Sequence, residues 1–291
     1  MKNSLLLVGF LVLYSTSVFA GGPWPQKKGK GYFKLSEWWI VFDEHFTSNG
    51  FKDPNVTTGI FNTTLYGEYG ITDRFTAILN APVFSRTYNN NIISSTNGAT
   101  IAQGEAFNGV GDFDLGLKYG LTKPGAKFPV AVTLTLGLPF GATGEGELGN
   151  LQTGDGEFNQ QLQIDAGTSF QLAEKTSAYV SALAGINNRT NGFSTEFRYG
   201  LEAGLGFSNS RLWFVGRITG YESFMNGDTA ESTTSTSIFA NNSELFSIGG
   251  EISYCITQRI GVSASIAGAV DGQIIAAAPS YSVGVFLDLS R

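Results

Sequence analysis

One cysteine and one histidine stand among 291 residues. No intrachain disulfide can form, and a cysteine-ligated metal centre has no ligand set. Charge is scarce at 14% of residues, against ~25% in an ordinary soluble domain. The balance is 18 basic to 24 acidic residues, net −6, which offers no basic footprint for nucleic acid. Prolines number only 8, and no long charge run or proline-rich tract marks a disordered segment. No apolar stretch reaches the ~18 residues that a membrane-crossing helix needs. What remains is a folded chain rich in glycine, 38 residues, and in aromatics, 13%.

The first twenty residues read as an address. Lys2 supplies a positive start, and Leu5 to Tyr14 (LLLVGFLVLY) is apolar. At 1.5 Å per residue that run is too short to cross ~30 Å of hydrocarbon. Val18-Phe19-Ala20 places small residues at −3 and −1, so a secretory signal peptide cleaved after Ala20 is expected. The expected organisation is a signal peptide over 1–20, a short periplasmic arm over 21–30 and one β-barrel over 31–291.

The rest alternates with period two. In 160–172, Leu162, Ile164, Ala166, Thr168, Phe170 and Leu172 take one phase, and Gln161, Gln163, Asp165, Gly167, Ser169 and Gln171 the other. The same pattern marks 56–69, 74–86, 111–119, 128–139, 177–187, 195–208, 211–222, 244–256, 260–270 and 278–289. The stretch 31–42 is apolar in both phases around Trp38 and Trp39. The count is twelve strands.

The connections alternate between short (70–73, 120–127, 173–176, 209–210, 257–259) and long (43–55, 87–109, 140–159, 188–194, 223–243, 271–277). Membrane β-barrels have short periplasmic turns, longer outer loops and an even strand number. A soluble barrel also alternates, but its polar phase should carry many Lys and Glu. Here that phase is mostly Gly, Ser, Thr and Gln. Tyr69, Phe75, Tyr119, Phe128, Phe170, Phe207 and Tyr254 flank the short turns, as an interfacial aromatic girdle would. The fold class expected is therefore an all-β transmembrane antiparallel barrel. In the last segment Tyr281, Val283, Val285 and Leu287 would face lipid, as in the terminal strands that barrel-assembly machinery reads. The chain ends Leu-Ser-Arg rather than on an aromatic.

Charge divides by side. Acids such as Asp43, Glu44, Glu105, Glu145, Glu147, Asp155 and Asp228 gather in the long loops, and bases such as Lys27, Lys28, Lys30, Arg74, Lys123 and Arg259 in the arm and short turns. An acidic rim favours cations and equally suits divalent bridging to lipopolysaccharide.

Motifs with chemical meaning are few. Gly144-Glu145-Gly146-Glu147-Leu148-Gly149 matches G-x-G-x-x-G, yet no helix pattern follows to meet a pyrophosphate. Asp155-Gly156-Glu157-Phe158-Asn159 offers hard oxygens without the closing Glu of a calcium loop. His45-Phe46-Thr47-Ser48-Asn49 holds the residue types of a barrel lipase, crowded into one expected loop and without a nucleophile elbow. No catalytic, metal or cofactor set is expected. The inward phase carries Lys34, Glu68, Asp112, Asp114, Lys118, Asp165, Glu196, Arg198, Glu202, Arg217, Glu251 and Asp288. These charges would either lock the barrel as ion pairs or line a pore that selects solutes. Twelve strands lie between the filled eight-stranded barrel and the open sixteen-stranded porin, so a narrow or gated passage is expected. The 87–109 or 223–243 loop would fold inward as a constriction.

Leu65-Tyr66-Gly67-Glu68-Tyr69-Gly70-Ile71-Thr72-Asp73-Arg74-Phe75 is a strand, a tight turn and a returning strand. Gly109-Val110-Gly111-Asp112-Phe113-Asp114-Leu115-Gly116-Leu117-Lys118-Tyr119 follows the first large loop. Leu136-Gly137-Leu138-Pro139 closes a strand before Thr153-Gly154-Asp155-Gly156. Over roughly 31–291 the chain resembles the outer-membrane barrel family labelled "putative MetA-pathway of phenol degradation". The resemblance implies a transporter-like barrel for small aromatic or apolar compounds, with no catalytic residues to carry over. The expected partners are outer-membrane lipid, lipopolysaccharide, barrel-assembly machinery and a small solute, for a protein acting as a monomer. A surface-binding barrel and a lipid hydrolase are the rival readings.

Overall fold

The computed structural model describes residues 21–94, 96–228 and 238–290. The expected signal peptide, and the part of the 223–243 loop over 229–237, lie outside the described residues. Sixteen strands follow in order: β1 (Gly31–Phe46), β2 (Lys52–Gly70), β3 (Phe75–Asn89), β4 (Ile92–Ile93), β5 (Thr100–Ala102), β6 (Glu105–Gly109), β7 (Phe113–Gly120), β8 (Val130–Leu138), β9 (Asn159–Ala173), β10 (Thr176–Asn188), β11 (Glu196–Phe207), β12 (Leu212–Ser223), β13 (Glu244–Cys255), β14 (Ile260–Gln273), β15 (Ile275–Ala276) and β16 (Pro279–Asp288).

Every long strand pairs antiparallel with its neighbours, and β1 closes the ring by pairing with both β2 and β16. Tyr32 lies between Glu68 and Asp288, and Ile40 between Ile60 and Ser280. β6 and β7 follow one another along β3 and make a single wall strand, so the wall has twelve strands. They are separated by a bend at 110–112. There Gly111 N donates to Pro82 O at 2.9 Å. Pro82 sits where the β2–β3 register slips, a place where a strand tolerates a missing donor. A Cβ on Gly111 would stand 2.8 Å from Pro82 Cβ, so only glycine fits that bend.

The two faces are inverted relative to a soluble protein. Leu162, Ile164, Leu201, Ile248, Ile252 and Val285 are at least 50% exposed on the outer face. Inside, Glu68, Thr76, Lys118, Asp165 and Asp288 are at most 2% exposed. A continuous apolar outer band with polar residues within belongs in lipid, where a closed barrel pairs every backbone group. Tyr69, Phe75, Phe128, Phe170, Phe207 and Tyr254 are exposed on the outer face beside the short turns.

Several loop boundaries differ from the sequence reading. The 43–55 segment is mostly ladder: Glu44 pairs with Pro54, His45 with Asp53 and Phe46 with Lys52. The 87–109 segment is not an inward constriction. Its β3 and β6 stretches pair from Ser85–Gly109 to Asn89–Glu105, and β4 and β5 make a small hairpin beyond them. Strands continue past the apolar band because hydrogen bonding does not stop where lipid does. The alternating pattern marks only the lipid-facing part.

Candidate functional site

The inner wall is crossed at three levels by groups that the strand alternation turns toward the axis. At the short-turn end the first part of the arm, residues 21–26, packs inside the barrel, while residues 27–29 are exposed beside the 70–73 turn. Pro23 is fully buried and Gln26 is 6% exposed. Gln26 N donates to Thr76 Oγ1 at 2.8 Å, and its Nε2 to Glu68 Oε2 at 3.1 Å. Trp24 meets Tyr179 edge-on, with ring centroids 5.7 Å apart, and Tyr179 meets Trp213 at 5.6 Å. The wall makes room with glycine. A Cβ on Gly120 would stand 2.8 Å from Pro25 Cγ, and one on Gly167 3.0 Å from Pro23 Cγ.

Beside the arm is a buried charge cluster. Tyr66 Oη donates to Glu68 Oε1 at 2.5 Å, and Gly21 N to the same oxygen at 2.7 Å. Lys118 Nζ stands 3.7 Å from Glu68 Oε1. Asp165 Oδ1 accepts from Gln163 Nε2 at 2.7 Å. Asp165 Oδ2 and Lys118 Nζ are buried with no hydrogen-bond partner among the described residues. Asp288, 1% exposed, accepts from Ser290 N and Oγ at this end.

At mid-height, Lys34, Glu251, Arg217, Glu202 and Tyr179 form one chain from β1 to β10. Lys34 Nζ lies 3.6 Å from Glu251 Oε2, and Arg217 Nη1 3.2 Å from the same oxygen. Arg217 Nε pairs with Glu202, which also accepts from Tyr179 Oη. Lys34 reaches across β16 because Gly284 beneath it has no side chain: a Cβ there would stand 2.8 Å from Lys34 Cε.

Toward the long loops, Arg189 bridges Asp155 and Glu196, each at 2.9 Å, and Arg198 binds Glu196 at 2.7 Å. Arg198 Nη1 donates to Gln161 Oε1 at 3.2 Å, and Gln161 Nε2 to Gln163 Oε1 at 2.7 Å. This file of amides on β9 runs down to Asp165 and connects the upper and lower levels. Asp114 Oδ2 accepts from Asn80 Nδ2 at 3.1 Å. Asp112 accepts from Gly141 N and Asp155 N, each at 2.8 Å. Glu157, whose Oε2 accepts from Thr190 Oγ1, has its carboxyl raised above the usual range, by burial first.

The long-loop mouth is covered from two sides. In the 139–158 connection Leu151, Thr153 and Glu157 are at most 2% exposed. Its contacts with Asp112 and with Thr190 tie it across the mouth. From the other side, Ile238 and Phe239 pack against Ile40, Phe42 and Ile60. Asn241, fully buried, accepts from Ser194 N at 2.8 Å near the top of β11. That explains the two-phase apolar pattern of 31–42: its inner phase, Trp38, Ile40 and Phe42, meets a loop rather than water.

The minor motifs resolve simply. His45 lies in β1 rather than a loop, paired in register with Asp53 and Ala276, and its Nδ1 is buried without a hydrogen-bond partner. The Gly144–Gly149 stretch is a turn closed by a Glu145–Leu151 bridge, and no helix begins there. Asp155 and Glu157 are engaged by Arg189 and Thr190. Sequence reasoning missed Arg189, Trp24 and the Ile238–Phe239 pair. Trp24 carried a signal, an apolar Pro-Trp-Pro inside a polar arm. Arg189 carried none, because its partners are set only by the closed ring.

In solved structures the fold is similar to that of an outer membrane channel from Pseudomonas putida F1. The identity is 14% and the TM-score 0.52, over 93% of this chain and 99% of that one. LpxR from Salmonella typhimurium matches at 9% identity and TM-score 0.49, over 88% and 99% of the two chains. The NanC porin matches at 10% and 0.48, over 88% and 100%. No curated protein sequence matches. The family model described as "Putative MetA-pathway of phenol degradation" matches residues 46–273, and the chain belongs to that family.

Proposed function

We propose that this protein is a gated outer-membrane channel for passive passage of small solutes. It is exported by its first twenty residues, inserted by barrel-assembly machinery and active as a monomer. In this reading the short turns and the arm face the periplasm, and the long loops face lipopolysaccharide and the medium. The observation that carries it is the kind of cover found at each end. Neither mouth is closed by wall strands: one is filled by residues 21–26 of the arm and the other by loops held through side-chain contacts. Such covers can move while the twelve-stranded wall stays paired.

The path would be lined by Lys34, Glu68, Asp112, Asp114, Lys118, Asp165, Glu196, Arg198, Glu202, Arg217, Glu251 and Asp288. Eight carboxylates face four cations in that set, so small cationic and neutral solutes are favoured over anions. The Trp24, Tyr179 and Trp213 rings, now packed on one another under the arm, would present an aromatic wall on its release, which suits a small aromatic such as the phenol named in the family description.

Planar-bilayer recording of the refolded chain 21–291 tests the proposal. Rare, brief, cation-selective steps are expected, becoming long-lived when residues 22–29 are deleted. A folded barrel that stays silent with both the arm and the 238–243 contacts disrupted would overturn it.

A further inference from the structure

The cluster around Glu68 is short of one positive charge. Glu68 and Asp165 are two carboxylates at most 2% exposed, and among the described residues Lys118 is the one cation paired with either. Lys118 Nζ lies 3.7 Å from Glu68 Oε1, and neither it nor Asp165 Oδ2 has a hydrogen-bond partner among the described residues. A buried, uncompensated charge is costly unless it is paired. Gly21 N is already placed at Glu68 Oε1, 2.7 Å away. In the continuous polypeptide that nitrogen is a peptide N–H, a neutral donor.

We infer that the polypeptide is cut between Ala20 and Gly21 and that the α-ammonium formed on Gly21 is the missing cation, fastening the arm inside the barrel. Hydrolysis of that amide adds one water. Its hydroxyl goes to the Ala20 acyl carbon and its other proton to the Gly21 nitrogen as the C–N bond breaks; the carboxylic acid so formed then gives up its own proton to the same amine, leaving a carboxylate and an ammonium. The cluster then holds two carboxylates and two ammoniums. The local backbone suits this seat. Gly21 and Gly22 have φ of 89° and 67°, the left-handed region that favours glycine. A side chain on Gly22 would stand 3.1 Å from the Trp24 ring. Removal of the leader is thereby coupled to closure: an uncleaved chain has a hydrogen bond where the cleaved one has a buried ion pair. The inference does not depend on whether any solute passes.

Amine labelling of the protein purified from membranes tests it, read by mass spectrometry. The N-terminus should be Gly21; any other start overturns the inference. In the folded barrel Lys27 and Lys28, both exposed, should label readily. The Gly21 amine should react roughly tenfold more slowly than in the urea-unfolded chain, the protection expected of a half-buried pair on a buried carboxylate. Glu68→Gln should abolish most of that protection. Because that variant removes a buried charge, a second one carries two alanines ahead of Gly21, which moves the ammonium away from Glu68. Its amine should label at the rate of Lys27. Equal protection in the extended chain, or labelling of Gly21 at the Lys27 rate in the unaltered barrel, would overturn the inference.

Discussion

Arg217→Met removes the hub of the mid-height network. Arg217 touches Glu202 through Nε and stands 3.2 Å from Glu251, while Lys34 reaches only Glu251, at 3.6 Å. Without the guanidinium, Glu202 keeps only the Tyr179 hydroxyl. At an effective dielectric of ~20 each close contact is worth about 5 kcal/mol before desolvation. Breaking a buried pair from one side costs about 3–5 kcal/mol net. The Arg217 side chain is 33% exposed and Glu202 24%, so solvent screening brings the cost below that range, to about 2–3 kcal/mol. That is roughly a hundredfold in the folded-to-unfolded ratio. Urea unfolding in lipid vesicles reads the stability, and reversal potential across a salt gradient reads the charge of the path. The variant should unfold at lower urea and pass cations more selectively. Arg217→Met with Glu202→Gln should recover at least half of the lost stability, because the stranded charge is gone. An unchanged urea midpoint together with an unchanged reversal potential would refute the network as a structural element of the path.

Three further outcomes follow from the same geometry. Gly120→Val should unseat the arm, since even a Cβ stands 2.8 Å from Pro25 Cγ; trypsin should then cut at Lys27 or Lys28 faster while the barrel stays folded. Phe239→Ala should free the loop from Ile40, Phe42 and Ile60, costing about 3 kcal/mol of loop packing and lengthening open events. Burial raises the Glu157 carboxyl above the usual range, so the folded loop holds its proton more tightly than the free chain does. Its contribution to loop packing is therefore full below the ordinary carboxylate range near ~4 and is lost as pH rises through the raised value. Hydrogen exchange over 139–158 should be slowest at acidic pH and quicken as pH rises, and Glu157→Gln should flatten the trend.

The wall was legible because lipid and interior impose opposite demands on alternate residues. Leu162, Ile164 and Leu201 outside, with Gln163, Asp165 and Glu202 inside, follow from a period of two. Strand ends were less legible. Around Glu44 and Asp53 the ladder runs on beyond the apolar band, where side chains no longer report the face. The covers were legible only in part: of the two loops expected to fold inward, 223–243 brings Ile238 and Phe239 against Ile40, Phe42 and Ile60, and 87–109 instead extends the ladder. Whether Pro23 and Trp24 lie in water or in the barrel depends on Gly120, Gly167 and Tyr179, which come together only when the ring closes. Arg189 joins Asp155 to Glu196 for the same reason: Arg189 follows β10, Glu196 opens β11 and Asp155 belongs to the loop before β9. The apolar inner phase of Trp38, Ile40 and Phe42 is the wall's match to the apolar Ile238 and Phe239.

Single-channel recording of the chain 21–291, with and without residues 22–29, is the most direct measurement of the central claim. Brief cation-selective steps in the full chain, turning into sustained conductance once the arm is removed, are predicted. A folded barrel whose conductance is indifferent to the arm would contradict it.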